Sequence, residues 1–204
     1  MSSYELPILQ KVINEFTKFP YIGHKNASKL VYYFLKNAPY SFEKFHSALE
    51  ELKNNVFFCK ECRGFSEKKN ICDICKSENR NKKILCIVET PFEIITIEKL
   101  GIFDGVYWVL HGKINPLEGI MPSNLKIENL IDKIKKDKTE KIIFALDWDM
   151  ESETTIHYII EKTKEIPTIN FFRISPGISI GSYYGNIDDF SLKNSFKTLY
   201  EIKI

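Results

Sequence analysis

Four of the five cysteines stand in two pairs, Cys59-Lys-Glu-Cys62 and Cys72-Asp-Ile-Cys75, with nine residues between the pairs. A CxxC turn brings two thiolates within reach of one ion. Two such turns complete a tetrahedral shell of four sulfurs, the coordination Zn²⁺ takes in structural sites. A closed shell leaves no position for a substrate, so the spacing predicts a structural role; the competing reading is a redox pair or unligated thiols. Cys86 lies inside an apolar run and reads as a small buried hydrophobe. A second group is acidic. Glu89 follows the apolar run Ile84–Val88, and Asp147 and Asp149 follow another, in Leu146-Asp-Trp-Asp-Met-Glu-Ser-Glu153. Three carboxylates converging at one sheet edge offer the oxygen ligands that Mg²⁺ prefers; the plain alternative is a set of solvated loop acids. Glu93, Glu151 and Glu153 add charge nearby and serve either reading. No serine, tyrosine or histidine nucleophile is placed beside them. Tyr107 reads as packed within a strand, and His24, His46, His111 and His157 each stand alone.

A third group is basic. The stretch Phe19-Pro-Tyr-Ile-Gly-His-Lys-Asn-Ala-Ser-Lys29 reads as helix, tight turn, helix. Gly23 lets the backbone come close to a phosphate, and the following helix offers free N–H groups and its positive dipole end. Lys25 and Lys29 sit one turn apart and can flank a nucleic-acid backbone, a contact that positions without reading sequence. The plain alternative is a helical hairpin with solvated lysines. Lys60, Arg63, Lys68, Lys69, Lys76, Arg80, Lys82 and Lys83 gather around the cysteines and extend a phosphate-tracking surface.

The elements that must position these groups follow from periodicity. Leu6, Leu9, Val12, Ile13, Phe16 and Phe19 share one helical face, broken by Pro20 and Gly23. Residues 26–35 resume the pattern, and Pro39 ends it. Ser41 is placed to cap a third helix to about Lys53, with Phe42, Phe45, Leu49 and Leu52 inward. Residues 54–83 hold the cysteines, many bases and little hydrophobic period, so this module needs a metal to fold. Strands are then predicted at Ile84–Val88, Val106–Leu110, Ile142–Leu146 and Thr168–Ile174. Helices are predicted at Phe92–Leu100, after a Ser123 cap (with Leu125, Leu130, Ile131 and Ile134 apolar), and at Ser152–Lys164. Strands alternating with helices imply a mostly parallel sheet, whose ligands bind at the carboxyl ends of its strands. The tail after Ser175 carries Gly177, Gly181 and Gly185 and no strong period before Leu192.

With 204 residues, 44% hydrophobic and 27% charged, the chain has material for a real core. A net charge of +2 excludes a histone-like polycation but allows a local basic patch. No apolar run approaches the roughly 20 residues of a membrane-spanning helix, and the start, MSSYELPILQ, lacks the features of a secretory signal. The expected compartment is the cytoplasm, where five cysteines argue for metal or free thiols rather than disulfides.

A glutamate after one strand and Asp-x-Asp after another is the pattern of the Toprim fold. The order of parts, helix-hairpin-helix, CxxC…CxxC, then a Toprim-like α/β unit, resembles the RecR recombination-mediator family over roughly residues 6–192. Four strings carry the resemblance: Cys86-Ile-Val-Glu-Thr-Pro-Phe-Glu93, Tyr107-Trp-Val-Leu-His-Gly-Lys-Ile-Asn-Pro-Leu117, Glu151-Ser-Glu-Thr-Thr155 and Arg173-Ile-Ser-Pro-Gly-Ile-Ser-Ile-Gly181. The fold class is therefore α/β with small additions. A helix-hairpin-helix domain (residues 1–53) and a four-cysteine zinc module (54–83) precede a parallel-sheet Toprim-like domain (84–174) and an extended C-terminal segment (175–204). The resemblance implies a DNA-binding, ring-forming homo-oligomer, a dimer or tetramer. Such clamps work with RecO and RecF in DNA repair to load RecA at single-stranded gaps coated by SSB. It implies DNA contacts at Gly23, Lys25 and Lys29, no catalysis, and a partner surface near Glu89, Glu151 and Glu153.

The chain also departs from the family. Tyr21 replaces the first hairpin glycine; tyrosine resists φ > 0, which predicts a different turn and a weaker phosphate grip. Gly185 and Asn186 replace acidic and aromatic tail residues, while Asp188 and Asp189 remain. Asp147-Trp-Asp149 gives a fuller acidic set than many family members have, which favours a divalent metal here. Two other functions compete: a Toprim-type metal-dependent nuclease or primase-like phosphoryl transferase using Glu89, Asp147 and Asp149, and a zinc-stabilised protein-interaction module without direct DNA contact.

Overall fold

The computed structural model describes residues 6–166, 169–175 and 189–202. The chain divides into two compact units, Met1–Asn55 and Val56–Ile204.

The first unit holds α1 (Pro7–Phe16), α2 (His24–Lys36) and α3 (Tyr40–Asn55). Pro7 opens α1, where its fixed φ suits the first helical position. Ile13, Ala27 and Val31 form the buried cluster, with Leu9, Phe16 and Ile22 against it. The turn between α1 and α2 corrects one expectation: Tyr21 does adopt the left-handed region, at φ 64°. Its side chain is fully exposed, so it clashes with nothing while the backbone takes the glycine-like conformation. Gly23 is the N-cap of α2 in ordinary extended conformation, at φ −80° and ψ 168°. A second correction concerns α3. Phe42 and Phe45 lean on the Phe34 ring, with centroids 5.3 and 5.2 Å away, yet both stay exposed, as do Leu49 and Leu52. No residue of α3 is buried, because α1 and α2 pack chiefly on each other. Ser41 is not a cap either. The helix starts at Tyr40, and the Ser41 hydroxyl donates to the Phe34 carbonyl oxygen at 3.1 Å.

The second unit begins with a hairpin, β1 (Phe57–Phe58) and β2 (Phe65–Ser66), and a short helix, α4 (Asp73–Lys76). The α/β part follows as β3 (Asn81–Val88), α5 (Pro91–Leu100), β4 (Gly105–Val109), a 3₁₀ turn (Pro116–Glu118), α6 (Ile127–Asp137), β5 (Lys141–Ala145), α7 (Met150–Thr163), β6 (Asn170–Arg173), α8 (Asp189–Lys197) and β7 (Tyr200–Glu201). The sheet order is β4-β3-β5-β6-β7. The first four strands are parallel; β7 pairs antiparallel with β6 at the edge. Alternate residues of β3 serve opposite faces. Leu85 and Ile87 join the cluster built from α6 and α7, through Leu130, Ile134, Ile156 and Ile159. Cys86 and Val88 join the other, with Ile94 and Ile97 of α5 and three of the paired cysteines. Both faces are covered, which explains why these strands read as unbroken apolar runs.

Local chemistry sets the helix boundaries. Thr90 and Glu93 form a capping box at the start of α5, and Gly101 closes that helix in the left-handed region at φ 61°. Ser123 does not cap α6. The helix starts at Ile127 after Lys126, which sits at φ 55°, and Leu125 is buried ahead of it. The sequence pattern contains no signal for β7, a two-residue edge strand paired to β6, with the Tyr200 ring edge-on to Trp148 at 6.2 Å. Gly177, Gly181, Gly185, Asn186 and Asp188 of the tail, and Thr168, lie outside the described residues. Among the described residues, no helix is long and apolar enough to cross a membrane.

Candidate metal centre and acidic sheet edge

The two CxxC turns meet. The sulfurs of Cys59, Cys62, Cys72 and Cys75 all lie within 4.8 Å of one another. The Cys62 and Cys72 sulfurs are 3.7 Å apart, close to the roughly 3.75 Å edge of a tetrahedron whose metal–sulfur bonds are ~2.3 Å. The hairpin shapes the first pair: Arg63 N–H donates to the Cys59 carbonyl and Cys59 N–H to the Gly64 carbonyl, each at 2.8 Å. Cys72 caps α4 and completes the second pair. Backbone N–H groups also aim at sulfur, from Gly64 to Cys62 at 3.4 Å and from Cys72 to Cys59 at 3.3 Å. A side chain at position 64 would meet Ile94 at 2.9 Å and the Cys62 sulfur at 3.3 Å, so glycine lets the knuckle press against α5. Among themselves the thiols share protons unequally. Hydrogen bonds from its neighbours hold Cys59 far below the ordinary thiol range, while the Cys59 thiol and burial push Cys62 and Cys75 far above it. All four ionise together only with a cation between them. The residues present fit a four-coordinate metal ion held for structure.

The acidic residues come from the carboxyl ends of neighbouring strands, as expected for this sheet. Glu89 follows β3, and Asp147 and Asp149 follow β5. The residue between them is one that spacing does not reveal. Lys113, on the loop after β4, places its ammonium 2.5 Å from Asp149 Oδ2 and 3.2 Å from Glu89 Oε2. Its side chain is only 17% exposed. Burial raises the Glu89 carboxyl, and the lysine offsets only part of that rise. Burial would raise Asp149 too, but the bonds from Lys113 and Ser152 outweigh it and hold this group below its usual range. The second oxygen of Asp149 accepts from Ser152 N–H at 2.7 Å and caps α7. Asp149 is thus committed twice. Among the described residues the four cysteines are the one set of three or more metal-type ligand atoms within 4.8 Å, and the carboxylates do not form a second. In this arrangement Lys113 supplies positive charge to two members of the candidate Mg²⁺ set of Glu89, Asp147 and Asp149, namely Glu89 and Asp149.

The remaining acids have separate duties. Glu153 pairs with the guanidinium of Arg173, which also donates to the Asp147 carbonyl at 2.5 Å and covers the Trp148 ring at 3.9 Å. Glu151 is half-buried, and its carbonyl accepts from the Thr155 hydroxyl at 2.7 Å. Glu93 is 2% exposed, and burial pushes its carboxyl up to about 7. Its oxygens accept from Thr90 N–H at 2.9 Å and sit 3.2 Å from the Thr90 hydroxyl, so it serves the capping box and stands apart from the lysine. Tyr107 is fully buried and donates to Glu98 at 2.6 Å.

In the helical unit, Lys25 and Lys29 lie exposed one turn apart on α2, and neither makes an ion pair among the described residues. Gly23 offers no side chain to cap α2; its carbonyl accepts from the Asn26 and Ala27 N–H groups at 3.0 Å, which leaves the His24 and Lys25 N–H groups for a ligand.

Comparison with known proteins agrees with this layout. A family model described as the Toprim domain matches residues 83–174. Curated relatives match nearly end to end. A protein from Amoebophilus asiaticus named Recombination protein RecR is 34% identical over 96% of this chain and 96% of its own length. One of the same name from Flavobacterium psychrophilum is 37% identical, covering 92% of this chain and 90% of its own. One from Chloroherpeton thalassium is 34% identical, covering 98% and 99%.

Proposed function

The chain belongs to the RecR family of recombination proteins, and from that premise we propose that it binds DNA in recombinational repair without catalysing a reaction of its own. The observation that carries the non-catalytic part is Lys113, whose ammonium lies between Glu89 and Asp149. Metal-dependent phosphoryl transfer at a sheet edge needs carboxylates free to hold ions, and here they hold a lysine. The four thiolates hold Zn²⁺ as a structural ion. Gly23, Lys25 and Lys29 contact the DNA backbone, through an uncapped helix N-terminus and two free ammonium groups. The assembled form is a homo-oligomeric clamp, a dimer or tetramer. In support, Leu6, Ile8, Val12, Leu35, Phe42 and Phe45 line a wholly apolar groove of about 460 Å³ on the helical unit, and grouped exposed apolar side chains mark interaction surfaces. The clamp acts in the cytoplasm with RecO and RecF to load RecA at single-stranded gaps. Glu89, Glu151 and Glu153 lie on the partner-facing edge.

A second reading, a Toprim-type nuclease or primase-like transferase, draws on the arrival of Glu89, Asp147 and Asp149 at one sheet edge. Two measurements separate the readings. Fluorescence anisotropy on single-stranded and gapped DNA at low salt is expected to show binding that Lys25→Glu with Lys29→Glu weakens, with a shallower salt dependence. Unchanged affinity and slope would sink the assigned contacts, and no binding at all would leave only a protein-interaction module. A nicking assay with Mg²⁺ or Mn²⁺ is expected to show no cleavage; cleavage that disappears in Glu89→Gln with Asp147→Asn would make the acidic edge an active site.

A further inference from the structure

A set of basic and aromatic residues surrounds one cleft of the α/β unit, about 470 Å³ in volume, which borders the metal centre at Cys59. Phe58, Lys60 and Arg63 come from the cysteine hairpin, Trp108 and His111 from β4 and the loop after it, and Lys126 from the start of α6. Its size falls within the ~300–1,000 Å³ usual for small-ligand pockets.

The wall is cationic and lacks carboxylates. Arg63 is half-buried, and its guanidinium donates only to carbonyls, of Leu110 at 3.1 Å and Leu125 at 2.7 Å. Among the described residues no carboxylate lies within ion-pair distance of Arg63, Lys60 or Lys126. The two nearest acids in sequence are engaged elsewhere: Glu61 pairs with Lys136 at 3.0 Å, and Glu128 with Lys162 at 3.7 Å. Lys126 gives α6 no side-chain cap, the Ile127 N–H donates to the Pro122 carbonyl at 3.4 Å, and Lys126 and Asn129 bring the positive end of this 11-residue helix to the cleft. The wall is also aromatic. The Phe58 ring meets the His111 imidazole edge-on at 5.0 Å, and Arg63 lies 5.7 Å over Trp108. The buried indole N–H of Trp108 has no hydrogen-bond partner.

The backbone adds an independent observation. Arg63, His111 and Lys126 have φ of 64°, 63° and 55°, three of the five non-glycine residues in the left-handed region among the described residues. They come from three separate segments and line this one cleft. Such conformations cost free energy, and they cluster where a ligand site fixes the geometry.

We propose that this cleft binds one nucleotide unit of single-stranded DNA, its phosphate on Arg63, Lys60, Lys126 and the α6 N-terminus, its base against Phe58 and His111. Charge without carboxylates selects an anion, and exposed rings select a flat partner; base stacking on aromatic side chains with a basic rim is how single strands are held without sequence preference. The inference rests on the DNA-binding reading above.

The test uses the full-length zinc-loaded protein, a fluorescent 20-nucleotide oligothymidylate, and competition by thymidine monophosphate and by an acidic hexapeptide. Phe58, Lys60 and Lys126 are exposed, so Phe58→Ala and the double variant Lys60→Ser, Lys126→Asn are expected to keep zinc content and melting temperature. The double variant should weaken binding about tenfold at low salt and reduce the salt slope by about 0.7, since the contact to one phosphate of a single strand is lost. Phe58→Ala should weaken binding with the slope unchanged. Competition by the monophosphate places a free nucleotide in the same cleft, and competition by the oligomer alone confines it to the strand; both support the proposal. Native affinity and slope in both variants, while Lys25→Glu with Lys29→Glu loses binding, would overturn this cleft and leave the DNA reading standing. Displacement by the peptide but by neither nucleotide probe overturns it as well. A native protein that binds no DNA removes both.

Discussion

The thiols of Cys59, Cys62, Cys72 and Cys75 and the carboxylates of Glu89 and Asp149 both gather negative groups on the same α/β unit, and they balance that charge differently. The cysteines bring four sulfurs within 4.8 Å of one another, which suits an external ion. The acidic edge brings its own cation, Lys113, to 2.5 and 3.2 Å. A third case lies close by: Glu93 has neither ion nor lysine, and burial drives it toward the protonated form at about 7. Metal, lysine and proton are three answers to one electrostatic problem, and which one applies decides whether a site depends on ions in solution.

The largest effect should come from the cysteine side. Chelation, or Cys62→Ser, should remove metal binding worth on the order of 10 kcal/mol in small zinc modules. Because Cys59, Cys62 and Cys72 share a buried cluster with Val88, Ile94 and Ile97, the loss should spread into the sheet and lower the melting temperature sharply. A zinc-free protein that melts like the native one would break the comparison at its first term. The next effect is pH-dependent. The folded state holds a proton on Glu93 up to about 7, whereas the unfolded chain releases it near 4.3. Between those values the folded state binds more protons, so this group's contribution to stability is full below the lower value and falls as pH rises through the upper one. Glu93→Gln should flatten that decline, gaining up to about 3 kcal/mol at pH 8 over the native trend, less the altered capping box. Denaturant melts at pH 5 and pH 8 check it, and parallel curves for the two proteins would refute it.

A smaller effect is expected at the lysine. Lys113→Met should cost about 1–2 kcal/mol at neutral pH, since Asp149 is over a third exposed and solvent screens part of the pair. Asp149 sits below its usual pKa, so its share of the pairing is present above the unfolded value and is lost as pH falls through the folded one. The variant's deficit should shrink in acid. Calorimetry on the same variant sharpens the point: without the ammonium, Glu89 and Asp149 should begin to take up Mg²⁺, and silence there would mean the edge never had an ion's geometry. The smallest change lies outside all three groups. Tyr21→Gly should raise stability by less than about 1 kcal/mol, because tyrosine at φ 64° carries left-handed strain that glycine lacks.

The helical unit shows where reading the sequence stops. Its three helices follow from apolar spacing, yet α3 shows no buried residue although Phe42, Phe45, Leu49 and Leu52 share a helical pattern. Periodicity says that a face is apolar, not that something covers it. The same limit applies to caps. Ser123 has the right chemistry and the wrong place, whereas Lys126, a poor cap by type, starts α6 from the left-handed region. At the acidic edge the candidates Glu89, Asp147 and Asp149 were legible because each follows an apolar strand. Lys113 was not, being 24 residues from one partner and 36 from the other with no motif linking them.

The sequence by itself determined the cysteine chelate, the alternation of strands and helices, and the family. Each rests on residues near one another in the chain or on strings long enough to be specific. Tertiary structure alone decided that Lys113 lies between two carboxylates, that Asp149 serves both that lysine and the cap of α7, and that residues near 58–63, 108–111 and 126 face one cleft. The physical reason is register. Strand pairing such as Val88 with Val109 and with Ala145 fixes which loops meet at the sheet edge, and charge pairing over a few ångströms depends on that meeting rather than on distance along the chain.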